Sequence, residues 1–328
     1  MAPLESAPAG RDWPAWAFEL APLRVTARYR AEERVELPPY AGGTLRGALG
    51  HALRHTACAC RPTCTRCRSP HTCTYSYLFE SPPPPDTRKL RLYPHIPHPL
   101  VIEPPEEGLT EIAAGECLRF GLVLVGRARG VLPFLVVALD RAARHGLGHG
   151  RGRLAFESLE SESGELLFDR SSGQVTAPTA APLPSLPVSS ERARVELWFR
   201  TPTRVVSQGR FIPEPEPWAL FRALLRRISS LYYFHCAAKS LPVDFRGLAQ
   251  RAAELERSRC ETSWKRWNRW SSRQNRMVSM DGFVGKVAFE GAFGELLPFL
   301  HLGEWVHVGK ATAFGHGRYE VTAMSAST

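Results

Sequence analysis

The chain has 328 residues, 44% of them hydrophobic, which is enough for two domains of ordinary size with a core each and excludes a disordered chain. Its formal charge of +10 at pH 7 favours a polyanionic partner, because each neutralised phosphate releases condensed counterions. Arg far outnumbers Lys, a bias that genome composition also produces, so position has to add to charge. No run of about 18 apolar residues occurs, and the start MAPLESAPAGRDWPAW lacks the basic and apolar pattern of a signal peptide. The expectation is a soluble, cytoplasmic protein with no membrane partner.

In chain order, the pattern predicts a strand from Phe18 to Tyr29, a short strand near Val35 and a helix from Thr44 to Thr56. Cys58, Cys60, Cys64, Cys67 and Cys73 then crowd together, five of the eight cysteines, which in an intracellular chain points to metal rather than disulfides. The expected site is a structural zinc held by Cys60, Cys64, Cys67 and Cys73, with Cys58 or His71 as replacement ligands. Free thiols in a loop are the alternative, since this spacing is less specific than paired Cys-x-x-Cys hooks. A strand from Cys117 to Val125, a helix from Leu132 to Arg144 and a strand over 153–159 complete the first half.

Residues 161–190 are rich in Ser, Pro, Thr and Ala and read as a linker, with a hairpin around Leu166 and Val175. Expected domains are therefore 1–160, with the cysteine knuckle inserted near 58–73, and 191–328. The second half offers a strand from Arg194 to Arg200, a helix from Pro217 to about Lys239 and a helix over 246–260. Strands around Val278 and Val287, a helix near Leu296 and a closing strand over 318–323 follow.

The two halves repeat one closing unit. Leu132-Pro133-Phe134-Leu135 precedes GLGHGRGRLAF, and Leu297-Pro298-Phe299-Leu300 precedes AFGHGRYEV, with Gly-His-Gly-Arg at 148–151 and again at 315–318. The fold class expected is α+β, two tandem ferredoxin-like domains. The glycine loops follow helices and precede strands, so they are not dinucleotide fingerprints. They can instead bring backbone N–H groups to a phosphate backbone, with His149, Arg151, His316 and Arg318 beside it.

Residues 277–321, with GFVGKVAFEG, LPFLHLGEWVHVGK and the closing glycine loop in that order, resemble the C-terminal signature of the Cas-six family, the RAMP-superfamily ribonucleases that process precursor CRISPR RNA. TLRGALGHALRH at 44–55 and TPTRVV at 201–206 are weaker similarities. The resemblance implies tandem ferredoxin-like domains, CRISPR repeat RNA and mature guide RNA as partners together with other Cas proteins of an effector complex, and metal-independent cleavage. In that chemistry the RNA's own 2′-hydroxyl attacks and leaves a 2′,3′-cyclic phosphate. A catalytically silent RAMP subunit that only holds guide RNA, and a zinc-bearing RNA-binding module outside CRISPR, are the alternatives.

Such cleavage needs a base, an acid and positive charge on the phosphorane. His51 and His55 lie four apart on one helix face, with Arg46 and Arg54 close by. The resemblance places a catalytic His on this helix and an assisting Tyr before it, which matches Tyr40 or Tyr29. Residues 264–276, WKRWNRWSSRQNR, interleave Trp264, Trp267 and Trp270 with Arg266, Arg269, Arg273 and Arg276, which suits stacking on bases and holding phosphates. Packing of a helix against the sheet is the plainer reading of that Trp spacing.

Overall fold

The computed structural model describes residues 13–20, 22–58, 64, 67, 69–90, 92–93, 95–178, 183, 186, 192–271 and 275–326. Its first half comprises α1 (Ala15–Leu20), β1 (Leu23–Ala31), β2 (Val35–Glu36), α2 (Gly42–Ala57), β3 (Leu100–Glu103), β4 (Glu111–Ile112), β5 (Cys117–Leu124), α3 (Leu132–His145), β6 (Leu154–Ser161) and β7 (Leu166–Asp169). The second comprises β8 (Ala193–Thr203), β9 (Val206–Ser207), β10 (Arg210–Phe211), α4 (Pro217–Tyr232), α5 (Phe245–Glu254), β11 (Glu256–Lys265), β12 (Asn268–Ser271), β13 (Arg276–Ser279), β14 (Gly282–Gly291), α6 (Leu297–Val306) and β15 (Tyr319–Ala326).

Alternation builds the sheets. Along β1, Leu23, Val25, Ala27, Tyr29 and Ala31 are buried while Arg24, Thr26, Arg28 and Arg30 lie on the other face. The first sheet runs β3-β5-β1-β6-β7 and the second β11-β14-β8-β15, with antiparallel pairing throughout. Apart from β7, both orders place the opening strand of a β-α-β-β-α-β unit between its third and last strands. The halves are tandem ferredoxin-like domains. Helices α2 and α3 bury Leu45, Leu49, Leu53, Leu135 and Leu139 with the first sheet, and α4 and α6 bury Leu220, Leu224, Leu297 and Leu300 with the second.

Three local expectations are corrected. The stretch from Phe18 to Tyr29 is not one strand: Ala15–Leu20 is a helix whose Trp16, Ala17 and Leu20 enter the second core, with Trp16 4.9 Å from Phe299 between ring centroids. The helix over 246–260 ends at Glu254, because Glu256–Lys265 pairs with β14 from Glu256↔Glu290 to Lys265↔Gly282. The Trp-rich segment is not helical either; β12 and β13 form a hairpin registered from Asn268↔Ser279 to Ser271↔Arg276.

Candidate active-site groove and the seam between the domains

One face of α2 is buried through Leu45, Leu49, Ala52 and Leu53. Another, through Thr44, Ala48, His51 and His55, forms one wall of a groove of about 400 Å³. Spacings of four, three and four residues keep these side chains on one stripe. The facing wall is Ala142 and His145 at the end of α3, then Gly146, Leu147, Gly148 and Arg151 of the first glycine loop. His51 and His55 are exposed, with ring centroids 4.6 Å apart and planes inclined by 56°.

The loop is shaped by backbone contact. Gly148 has φ 73° and a Cβ there would fall 1.8 Å from the Glu36 carbonyl oxygen, so a side chain is excluded. The His149 N–H donates to that same carbonyl at 2.8 Å, leaving the His149 side chain exposed. Arg151 has φ 55°, a left-handed conformation that costs a non-glycine residue about 1–2 kcal/mol.

The groove thus unites His51, His55 and Arg151, the first two from a helix and the third from a loop almost a hundred positions on. His145 was missed by the sequence reading; its only signal was a place as the last residue of a helix that feeds the glycine loop. Arg46 and Arg54 point elsewhere. The Arg46 guanidinium lies over Phe79 at 4.9 Å and Phe314 at 4.7 Å and donates to the Phe79 carbonyl at 3.1 Å. That of Arg54 lies 5.8 Å from the Tyr75 ring.

The second glycine loop is a different environment. It packs on the other domain: a Cβ on Gly42 would sit 2.1 Å from the Phe314 carbonyl oxygen, and one on Gly315 2.6 Å from that of Ile102. Tyr40 donates to the Phe314 carbonyl at 2.9 Å, and its ring meets His316 edge-on at 5.1 Å. Buried as it is, with the Glu107 charge adding to the effect, its hydroxyl is pushed well above the usual tyrosine value. Tyr40, expected to assist catalysis, thus lies in the seam, with its hydroxyl bonded to the Phe314 carbonyl.

His316, expected as an RNA contact, is likewise enclosed. It is fully buried, Nε2 donates to the Met280 carbonyl at 2.9 Å, and burial outweighs that bond to push its pKa down to about 4. Its neighbour in space, His307, has Nδ1 3.1 Å from the His316 carbonyl and Nε2 3.1 Å from the Glu103 carboxylate. Arg24 closes the network, reaching Glu103 at 3.1 Å, Glu162 at 2.6 Å and the Glu304 carbonyl at 2.6 Å.

Arg318 is half-buried, with its guanidinium 3.7 Å from Glu320. Arg266 and Arg276 are exposed along the β12–β13 hairpin, as is Trp270. Arg269 lies over Phe314 at 4.4 Å, and burial lowers its pKa. Trp267 packs against Tyr40 at 4.9 Å. Arg273 lies outside the described residues.

Cys60 also lies outside them, whereas Cys64, Cys67 and Cys73 are half-buried. Burial first, then the charge of Glu80, pushes the Cys64 thiol up, and Cys58 and Cys73 are close enough to add to this. Among the described residues no group of three or more His, Cys, Asp or Glu side chains is arranged to hold a metal ion, so the zinc expectation finds no support here. No described helix is long and apolar enough to cross a membrane.

The architecture has solved counterparts. A Cas6 product complex superposes with a TM-score of 0.55 at 19% identity, covering 92% of this chain and 99% of that one. Thermus thermophilus Cas6 gives a TM-score of 0.50 at 18% identity, covering 92% and 98%. A chain of a partial Cas6-RT-Cas1–Cas2 complex gives 0.55 at 15% identity, covering 93% of this chain and 46% of that longer one. No curated protein sequence matches the chain. At these identities the likeness carries the fold, and the class is that of tandem ferredoxin-like proteins with a glycine loop closing each domain. Residues 18–180 match a family model described as an N-terminal domain, and residues 197–319 match the model of CRISPR-associated endoribonuclease Cas6. The C-terminal domain is thus similar to the Cas6 family of CRISPR-associated endoribonucleases.

Proposed function

We propose that this protein cuts precursor CRISPR RNA at its repeats, without a metal, in the groove between α2 and the first glycine loop. The observation that carries this is the pairing of two exposed histidines, His51 and His55, with Arg151 across one groove of about 400 Å³. One imidazole takes the proton of the 2′-hydroxyl, which attacks the adjacent phosphorus and yields a 2′,3′-cyclic phosphate. Arg151 brings a planar, permanently charged fork to the phosphorane oxygens. A positive charge of +10 assists capture of the RNA.

The substrate strand runs from this groove to the exposed side of the β12–β13 hairpin. There Arg266 and Arg276 meet phosphates and Trp270 stacks on a base, while His149 and Arg318 flank the path. Arg273, in the same stretch of sequence, joins them in this reading. The domain division that goes with it is 1–160 and 191–328, joined by 161–190, from which β7 adds an edge strand to the first sheet.

The test is single-turnover cleavage of a repeat RNA in EDTA. Cleavage with a cyclic phosphate end is expected, slowed about 100- to 10,000-fold in His51→Ala or His55→Ala with repeat-RNA affinity within a few-fold. Uncut RNA would make the chain a guide-RNA holder, and normal rates in both variants would move the active site elsewhere.

A further inference from the structure

In-line displacement at phosphorus places the attacking 2′-oxygen and the leaving 5′-oxygen on opposite apices of the phosphorane, so the base and the acid must approach from opposite sides. His51 and His55 approach from one side. They are one helical turn apart on the same stripe of α2, with ring centroids at 4.6 Å, and both belong to the same wall of the groove. The facing wall carries one further imidazole, His145, exposed at the last residue of α3. It stands next to Gly146, the left-handed residue at φ 82° that turns the chain into the glycine loop bearing Arg151.

Resting on the RNA-cleavage reading above, we propose that His145 is the general acid of the reaction and shares the groove with a base on α2. The O2′–H bond breaks and its proton passes to His51 or His55. The O2′–P bond forms and the P–O5′ bond breaks. The proton on His145 moves to the 5′-oxygen, which leaves as a hydroxyl, and no metal, oxidant or other reactant is consumed. An imidazole suits this role because it holds and releases a proton near neutral pH. Arg151, beside it on the same wall, stays charged throughout and cannot supply that proton.

The test uses the full chain and two repeat RNAs, one ordinary and one with sulfur in place of the scissile 5′-oxygen. A thiolate leaves without protonation, so it removes the need for an acid. On ordinary RNA, His145→Ala is expected to slow single-turnover cleavage by about 100-fold or more and to flatten the alkaline limb of the rate against pH. On the sulfur-substituted RNA the same variant should cut at nearly the wild-type rate, whereas His51→Ala and His55→Ala remain at least as impaired as before in whichever one is the base. His145→Gln, which keeps a polar side chain at this exposed position, should behave as His145→Ala does. Equal slowing of both RNAs, or no slowing of either, overturns the assignment of His145. If the wild-type protein cuts neither RNA, or all three His→Ala variants cut normally, it is the active-site reading that fails.

Discussion

Glu103, at the end of β3, and His307, just past α6, face each other at 3.1 Å across the seam between the two domains, and both are buried. Burial alone would hold the Glu103 proton on; the His307 hydrogen bond and the Arg24 charge prevail and draw its pKa down to about 2. Glu103→Ala leaves His307 and part of Arg24 without their partner. Removing one member of a buried pair costs about 3–5 kcal/mol, and urea unfolding should show a loss of that size. A change below about 1 kcal/mol would mean that water already solvates the pair.

Acid should loosen the seam in two stages. His235 and His316 are fully buried, and burial pushes both from an ordinary 6.5 down to about 4. Because the unfolded chain binds those protons first, the stability they contribute is present above about pH 6.5 and is lost between there and pH 4, on the order of 3 kcal/mol each. Glu103, depressed from 4.5 to about 2, adds a further loss only below about pH 4.5. Unfolding midpoints measured from pH 8 to 4 should fall, and His316→Gln should flatten that slope by about one proton.

Two glycines of α2 should respond oppositely to alanine. At Gly42 a Cβ meets the Phe314 carbonyl at 2.1 Å, whereas at Gly47 nothing lies within 4 Å. Gly47→Ala should stabilise by about 0.5–1 kcal/mol through helix propensity, and Gly42→Ala should destabilise by forcing the seam apart. Thermal unfolding of both variants decides it.

Tyr40→Phe separates structure from chemistry. Loss of its hydrogen bond to Phe314 should cost about 1 kcal/mol of stability while the cleavage rate at saturating enzyme stays within a few-fold. A fall of 100-fold or so at unchanged stability would return Tyr40 to the active site.

Arg151 tests the glycine loop. Arg151→Gly removes the left-handed strain at φ 55°, so stability should hold or rise by up to about 1 kcal/mol, while cleavage falls and the salt slope of RNA binding drops by about one unit. Arg151→Ala keeps the strain and should lose activity at nearly unchanged stability. An unchanged salt slope in both variants would take the phosphate out of this groove.

The local code of the chain carried a good part of this. Period-two alternation in Leu23–Ala31, the helical stripe that sets His51 four residues before His55, and the repeated LPFL and GHGR segments are all short-range patterns, and they were enough for tandem ferredoxin-like domains and for the helix side of the groove. What they could not tell apart were the two GHGR loops. The first stays open beside His145 and Arg151. The second is buried, because Gly315 and Phe314 pack against Ile102, Gly42 and Tyr40, residues more than two hundred positions earlier. Contacts between residues distant in the sequence likewise hid the network from Arg24 through Glu103 to His307, and only pairing with β14 makes Glu256–Lys265 a strand. Residue type and spacing determined which side chains could do chemistry; which of them reach solvent, and which lock the domains together, was decided by contacts that form only when the two sheets meet.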